Sequence, residues 1–379
     1  MPPIIDAAIQ RTRLAIATAA TTVIFFASEL LGHPDRCRHE LGMSALVFAL
    51  LLAELVVTGD LMDSRYVTAQ EQLAIFVYWM VHGSSQRELQ ERFQRSGDTI
   101  SRYVNHGLQL ATGAFYKKYV QDPVNETPND IVHNPKWYPF FKYCRGAVDG
   151  VHVLAYVLAE HILRYCDRHG EITQNCVAAC DFDMQFLYVM PGYEGTAADG
   201  QLFTIARQNS FSLPPGCYYL ADAGFPNCDM LLAPYRGVQY HLKEWKRGKQ
   251  RPQNREELFN LRHAQLRNVI ERIFGVVKRR FRVLVSRPEM GYHQQALMVG
   301  AAAALHNFTR IHEPINHIEE EEEYDVEGQP FFMGRTNNDE AGAEVYAVDN
   351  MEKARADARR DRTAQAMWNK YVLDHPNLQ

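Results

Sequence analysis

Three acidic residues lie at positions where a carboxylate is costly unless it binds a cation or a polar partner. Asp149 lies inside the apolar run 145–153, and Asp222 directly follows the apolar run 217–221. An aspartate embedded in an apolar strand favours pairing or metal binding, and a glycine close behind each one predicts a tight turn. Glu271 lies in a long helical segment, at the edge of its apolar face. These acids are our candidate catalytic and metal-binding residues.

Three carboxylates that converge in the fold could bind divalent cations. Mg²⁺ and Mn²⁺ prefer oxygen ligands, and two such ions can activate a water or a 3′-hydroxyl for in-line displacement at a phosphate. The alternative for Glu271 is a solvated ion pair with Arg267, worth only about 0.2–0.5 kcal/mol. Because acids are common, the residues alone predict no more than an α/β protein with a basic helix.

The net charge of −5 conceals two oppositely charged regions. Between Lys243 and Arg287 there are 14 Lys and Arg residues against 4 acids, whereas between Glu313 and Glu352 there are 13 acids against one Arg. The basic region indicates a surface for a polyanion such as DNA, or else an ordinary solvated surface. The candidate DNA contacts within it are Arg267, Lys278, Arg279 and Arg280.

The first 130 residues have a helical pattern. Segments 68–71 (TAQE) and 85–88 (SQRE) are capping boxes, which predict helix starts. A short helix, a glycine-containing turn and a second helix outline a helix-turn-helix over residues 84–111. Arg95 and Arg102 would then contact DNA from the exposed start of the second helix. The alternative is an ordinary helical hairpin.

Downstream of residue 130 the pattern changes to strands. The second and third β-prone runs, separated by a short turn, predict a hairpin. Strands followed by a long helix predict a mixed α/β fold. The predicted strands are 145–153, 175–181, 185–190, 217–221 and 230–235, and the predicted helix is 262–284.

Cysteine usage and hydropathy argue against two other classes of protein. The seven cysteines are odd in number and include no Cys-x-x-Cys pair, which favours reduced intracellular thiols over disulfides or a zinc site. The apolar runs 14–31 and 43–57 each contain a glutamate and fall short of the ~20 apolar residues that span a bilayer. We therefore expect buried helices and no membrane association.

Several short motifs occur in one order across residues 140–310. The motifs are GAVDGVH (146–152), TQN (173–175), VMPG (189–192) followed by ADG (198–200), ADAGFP (221–226), LAPY (232–235), FN (259–260) and RNVIERIFGVVK (267–278). With these motifs in this order, the chain resembles the PIF/Harbinger transposases and their DDE-superfamily endonuclease relatives, including the domesticated Harbinger-derived nucleases. Segments 37–43 and 67–104 also resemble the helical region of that family.

The resemblance implies a fold, an activity and a set of acids. The implied fold is an RNase H-like mixed sheet flanked by helices, and the implied activity is DNA strand cleavage and transfer with two divalent cations. The family's two aspartates match Asp149 and Asp222, and its glutamate matches Glu271, after a gap of 48 residues. Asp199 matches a recurrent acid of the family and is a further candidate metal or structural ligand.

The implied organisation has three parts. Residues 1–130 form an all-helical domain containing the helix-turn-helix-like segment, residues 131–310 form the nuclease domain, and residues 311–379 form an acidic, partly disordered tail with a last helix over 351–371. The resemblance also implies DNA as substrate, a nuclear location and a separate Myb-like DNA-binding partner. We further expect a homo-oligomer. Segment 243–251 is either a nuclear-import patch or part of the DNA channel.

The sequence departs from the family at three positions and leaves alternatives open. Val151 stands where Thr is usual, and Ala223 and Phe225 stand where Ser and Tyr are common. No departure removes a carboxylate. A catalytically inactive, domesticated transposase that binds DNA is the first alternative. The second is a hydrolase that uses two carboxylates on a substrate other than nucleic acid, against which the basic helix argues.

Overall fold

The computed structural model of the chain describes residues 34–167, 170–238, 251–314 and 348–375. The chain divides into two units, each assembled from separated stretches of sequence. The helical unit comprises Met1–Tyr119, Val153–Glu160 and Val276–Tyr324, and the sheet unit comprises Val120–His152, His161–Gly275 and Asp325–Gln379.

Helices account for most of the described residues. They are α1 (Pro34–Leu41), α2 (Ala45–Val57), α3 (Ala69–His82), α4 (Gln86–Phe93), α5 (Gly97–Thr112), α6 (Ala114–Tyr119), α7 (Asn129–Val132), α8 (Ile162–Tyr165), α9 (Asp199–Asn209), α10 (Arg255–Arg280), α11 (Tyr292–His312) and α12 (Asn350–Asp374). Two short 3₁₀ turns cover Ala159–His161 and Arg282–Val285.

Five strands form one mixed sheet in the order β3-β2-β1-β4-β5. Strands β2 and β3 pair antiparallel, so the predicted hairpin is confirmed, while β4 lies parallel to both β1 and β5. The strands are β1 (Cys144–Leu154), β2 (Thr173–Cys180), β3 (Phe186–Glu194), β4 (Tyr218–Leu220) and β5 (Leu231–Leu232). The mixed α/β class is confirmed.

Two predicted elements have the wrong bounds for identifiable reasons. Strand β5 is far shorter than 230–235, since Pro234 has no N–H with which to continue the pairing. Helix α10 begins seven residues before the predicted start at 262, because the Asn254 side chain accepts the Glu257 N–H at 2.9 Å and so caps the helix upstream. It ends at Arg280, and the next residues tighten into a 3₁₀ turn.

The two predicted capping boxes differ in the structure. At α4, Ser85 and Glu88 exchange both hydrogen bonds of the box. At α3, the Thr68 hydroxyl accepts the Glu71 N–H, but the Glu71 carboxylate accepts two hydrogen bonds from Arg95 instead of closing the box. The tertiary ion pair therefore outcompetes the local contact, and it fixes the turn between α4 and α5 to α3.

The apolar segment 43–57 becomes α2, a mostly buried helix of the helical unit. Its Glu54 carboxylate accepts hydrogen bonds from Lys118 Nζ at 2.7 Å and from the Tyr119 hydroxyl at 2.6 Å, so the acid in this apolar helix is paired. No helix in the described part of the chain has the length and apolar character that crossing a membrane requires. The other apolar run, 14–31, lies outside the described residues.

The sheet unit has its core between α9 and one face of the sheet, where Val148, Val177, Leu202 and Phe203 pack together. The last helix, α12, docks onto the same unit. There the Arg359 guanidinium stacks over the Tyr218 ring and donates to the carbonyl oxygens of Cys228 and Leu231.

The predicted acidic tail falls largely on residues 315–347, and segment 243–250 falls in the gap at 239–250, both outside the described residues. All seven cysteines are free, as predicted.

Candidate active site

Asp149 lies in the middle of β1, which is the central strand of the sheet. Its Oδ1 atom accepts the Gly150 N–H at 3.0 Å, and its Oδ2 atom accepts a hydrogen bond from Arg267 at 2.8 Å. The tight turn predicted after Asp149 is wrong, because β1 continues in extended conformation to Leu154. A glycine is required at position 150 for a different reason, because the carboxylate of Asp199 lies where a Cβ atom would be.

Asp222 lies just beyond β4, the strand that pairs parallel to β1. Here the predicted turn is present, since Asp222 Oδ1 accepts the Gly224 N–H at 2.8 Å. The residue is only 5% exposed. Burial, and after it the negative charge of Asp149, raise the pKa of the Asp222 carboxyl to about 6, against the opposing effect of the positive charge of Arg267. Asp149, Asp222 and Arg267 therefore form one electrostatic cluster.

Glu271 joins this cluster through Arg267, one helical turn earlier on α10. One terminal nitrogen of the guanidinium donates to Asp149 Oδ2 and the other to Glu271 Oε1, each at 2.8 Å. The Arg267 side chain is 2% exposed, and the Glu271 side chain is 39% exposed. A single buried arginine thus connects the acid of the central strand to the acid of the helix.

Asp199, at the start of α9, approaches β1 from a different direction. Its Oδ1 atom accepts a hydrogen bond from Asn175 at 2.9 Å, and its carboxylate lies directly over Gly150. Successive residues of a strand point to opposite faces of the sheet. Asp199 therefore lies across β1 from the side chain of Asp149, and the structure does not bring it into the group bridged by Arg267.

The candidate DNA contacts on α10 lie mostly in buried surroundings. Arg267 is enclosed with the acids, so in this structure it is an internal ion pair rather than a phosphate contact. Arg280 is also buried, and its guanidinium lies 3.2 Å from His306 Nδ1. Lys278 and Arg279, in the same last turn, are half-buried.

The two candidate DNA contacts within the helix-turn-helix-like segment differ in exposure and in their partners. Arg95 is half-buried and donates from two nitrogens to the Glu71 carboxylate, at 2.7 and 2.9 Å. Arg102 is exposed in the second turn of α5. Of this pair, Arg102 presents its charge to solvent, whereas Arg95 is held by an acid.

Sequence reasoning offered the ion pair between Arg267 and Glu271 as an alternative, and the pair is present, although the arginine is buried. It missed the bond from Arg267 to Asp149 and the contact that Asn175 makes with Asp199. An arginine between the apolar residues Leu266 and Ile270 was a usable signal, because burying a guanidinium is costly unless acidic or other polar groups accept its hydrogen bonds. Asn175 lies in the motif TQN, but nothing in its neighbourhood along the sequence indicates a bond to an acid 24 residues away.

The donor chemistry of the cluster fits a divalent cation. Asp149 and Asp222 offer carboxylate oxygens, and the repulsion that raises the pKa of Asp222 is one that a cation would relieve. Mg²⁺ is usually bound by one or two carboxylates together with waters. Across the described residues, no three His, Cys, Asp or Glu side chains gather in a group that could hold a metal ion. The pair Asp149 and Asp222 is the part of the cluster that fits.

Comparison with known proteins agrees with this geometry. Residues 148–307 match the family model described as DDE superfamily endonuclease, so this part of the chain carries a DDE superfamily endonuclease domain. That range contains all three candidate acids. Residues 19–113 match a domain of unknown function (DUF8040). DDE superfamily nucleases generally use divalent metals. No curated protein and no solved structure matches the chain.

The contact between Gly150 and Asp199 gives a stability prediction. A Cβ atom at Gly150 would lie 2.0 Å from Asp199 Oδ1, so Gly150→Ala forces the acid to move. Overpacking of this kind costs about 1–3 kcal/mol, measured by urea unfolding. In an Asp199→Ala background the same change should cost much less. An equal cost in both backgrounds would show that the predicted clash is not what destabilises the variant.

The raised pKa of Asp222 gives a pH prediction for the metal-free protein in EDTA. Because the pKa is about 6 when folded, against 3.8 for an ordinary aspartate, the folded state binds the proton more tightly, and stability falls as pH rises between these values. Asp222→Asn should therefore raise stability at pH 7.5, by about 1–3 kcal/mol, and the gain should vanish below pH ~4. Asp60→Asn, at an exposed aspartate of the helical unit, is the control. A gain that does not depend on pH would contradict the prediction.

Proposed function

We propose that the chain is a metal-dependent DNA endonuclease of the transposase type, which cleaves and joins phosphodiester bonds with Asp149, Asp222 and Glu271. The observation that carries the proposal is the cluster around Arg267, where a strand acid, a turn acid and a helix acid are electrostatically linked inside the region that matches the DDE superfamily endonucleases. The mixed sheet with β1 at its centre supports an RNase H-like arrangement.

In this proposal each acid contributes from a rigid element. Asp149 is held by β1 and Asp222 by the turn that follows β4, and their oxygens would hold two divalent cations, Mg²⁺ or Mn²⁺. Glu271 would complete the set from α10. Such ions activate a water or a 3′-hydroxyl and neutralise charge that develops on the phosphate. Because the pKa of Asp222 is raised to about 6, its carboxylate is ionised near neutral pH, and the ionised form is the one that binds a cation.

We propose two sets of DNA contacts. In the helical unit, exposed Arg102 on α5 supports a helix-turn-helix role for α4 and α5. At the end of α10, Lys278 and Arg279 are candidates for backbone contacts. The resemblance to the PIF/Harbinger transposases supports the subtype, a nuclear location and a Myb-like partner protein, and we propose a homo-oligomer as the working assembly.

The catalytic proposal predicts nicking of supercoiled plasmid DNA in Mg²⁺, with the activity lost in Asp149→Asn and Glu271→Gln. Removing a residue that hydrogen-bonds to a metal ligand lowers metal affinity or activity about 10–100-fold. We therefore expect these substitutions, which change the ligands themselves, to lower the nicking rate by more. The matched control is Arg272→Gln, which changes an exposed residue beside Glu271 and should leave the rate within about twofold.

Two outcomes would count against the catalytic proposal. If Asp149→Asn nicked DNA as fast as the wild type, the acids would have no catalytic part. If the wild type bound DNA but cut none under any divalent cation, the alternative of an inactive, DNA-binding transposase would stand instead.

The helix-turn-helix proposal predicts a change in the salt dependence of DNA binding. Removing one phosphate contact lowers the slope of log K against log salt by about 1, so Arg102→Ala should show this reduction in fluorescence-anisotropy titrations. Arg36→Ala removes an equal charge from an exposed position on α1 and should not. Equal slopes for Arg102→Ala and the wild type would remove α5 from the DNA interface.

A further inference from the structure

Arg267 occupies the place in the acid cluster where positive charge is needed. We propose that Arg267 is the resident counter-ion of this cluster, which holds Asp149 and Glu271 together in the metal-free protein and competes with divalent cations for their oxygens. The inference rests on the proposed function, because it concerns the divalent site of the nuclease. It assigns Arg267 a positioning role, distinct from a contact with DNA.

The first argument is the cost of burying a guanidinium. Arg267 is 2% exposed, and a buried charge costs several kcal/mol unless its partners are well oriented. Both terminal nitrogens have a carboxylate oxygen at 2.8 Å, one on β1 and one on α10. The planar fork of arginine presents two terminal nitrogens in fixed directions and so can hold two acids with a defined geometry, whereas the three donors of a lysine ammonium share one nitrogen. The geometry therefore fits a residue whose task is to connect the two acids.

The second argument is the balance of charge. Asp149, Asp222 and Glu271 bring three negative charges when ionised, against the one positive charge of Arg267. Nearby His263 adds none, since burial and, to a smaller extent, the charge of Arg267 lower its pKa to about 3. The cluster thus keeps an excess of negative charge that attracts cations, while the guanidinium lowers that attraction. A cation that binds Asp149 Oδ2 or Glu271 Oε1 must take an oxygen that Arg267 now holds.

The competition gives opposite effects on stability and on cation affinity. Replacing Arg267 by Gln removes the positive charge and leaves the acids repelling one another, so the metal-free protein should melt at a lower temperature. The same change removes the competitor, so cations should bind more tightly. A merely structural arginine would predict weaker binding, because the acids would lose their alignment.

The test is Mn²⁺ binding to the full-length protein, measured by the electron paramagnetic resonance signal of free Mn²⁺. Arg267→Gln should bind about tenfold more tightly than the wild type, a change that corresponds to about 1.4 kcal/mol. Its melting temperature should be lower in EDTA and rise more on adding Mn²⁺. Arg272→Gln, which removes an equal charge from the next turn of the same helix, should change the affinity by less than about twofold.

The results separate this inference from the proposed function. If Asp149→Asn abolishes Mn²⁺ binding but Arg267→Gln binds no more tightly than the wild type, the cation site stands and the competition is overturned. If neither the wild type nor Arg267→Gln binds Mn²⁺, both proposals fail. Weak binding by the wild type that becomes strong in Arg267→Gln supports the competition.

A second measurement does not depend on Arg267→Gln, because it retains the positive charge in the variant that is used for assignment. The Nε–H signal of Arg267 in the wild-type nuclear magnetic resonance spectrum can be assigned by its absence in Arg267→Lys. Titration with Mg²⁺ should shift this signal, because the bonds to Asp149 and Glu271 weaken as the cation binds. An unchanged Arg267 signal at saturating Mg²⁺ would overturn the proposal even if Arg267→Gln could not be purified.

Discussion

The ion pair between Arg267 and its two acids is the interaction on which the arrangement of the sheet unit depends. A buried guanidinium that lost both partners would leave an uncompensated charge, at a cost of about 3–5 kcal/mol. Helix α10 must therefore lie where Arg267 reaches the central strand, and this requirement fixes Glu271 beside Asp149. The same contact thus serves the packing of the helix and the assembly of the acids.

The buried carboxyl of Asp222 lowers the stability of the fold near neutral pH, which is typical of functional sites. Asp222 is buried beside the charge of Asp149, and its raised pKa means that its ionised form destabilises the folded protein near neutral pH. A well-packed amide would avoid this cost. Groups whose charge is opposed by both burial and a like neighbour are concentrated at functional sites, where a substrate or a cation relieves the strain. The electrostatics of Asp222 therefore point in the same direction as the match to the DDE superfamily endonucleases.

The sequence predicted what depends on local pattern and missed what depends on distant contacts. Five strands, their hairpin and the long helix follow from apolar periodicity. Asp149 and Asp222 drew attention because an acid in or beside an apolar strand needs a polar partner or a cation, whereas Glu271 was singled out mainly by the resemblance to the transposases. Asn254, which starts α10, and Pro234, which ends β5, shifted element bounds through single local groups. The bridge from Arg267 to Asp149 joins residues 118 positions apart, so no window of sequence contains it.

The glycines beside the acids show that a family motif can be required for packing as well as for chemistry. Gly150 is required because the Asp199 carboxylate fills the space of its missing Cβ, and Gly224 gives Asp222 the backbone N–H that orients its carboxylate. Neither glycine takes part in a reaction, yet each is part of a motif that resembles the transposases. A chain could keep these residues for packing after losing activity, since Asn175, Asp199 and Gly150 hold one another without a cation. Under the proposed mechanism, catalytic competence depends on the charge of the acids, and the motif that surrounds them cannot substitute for it.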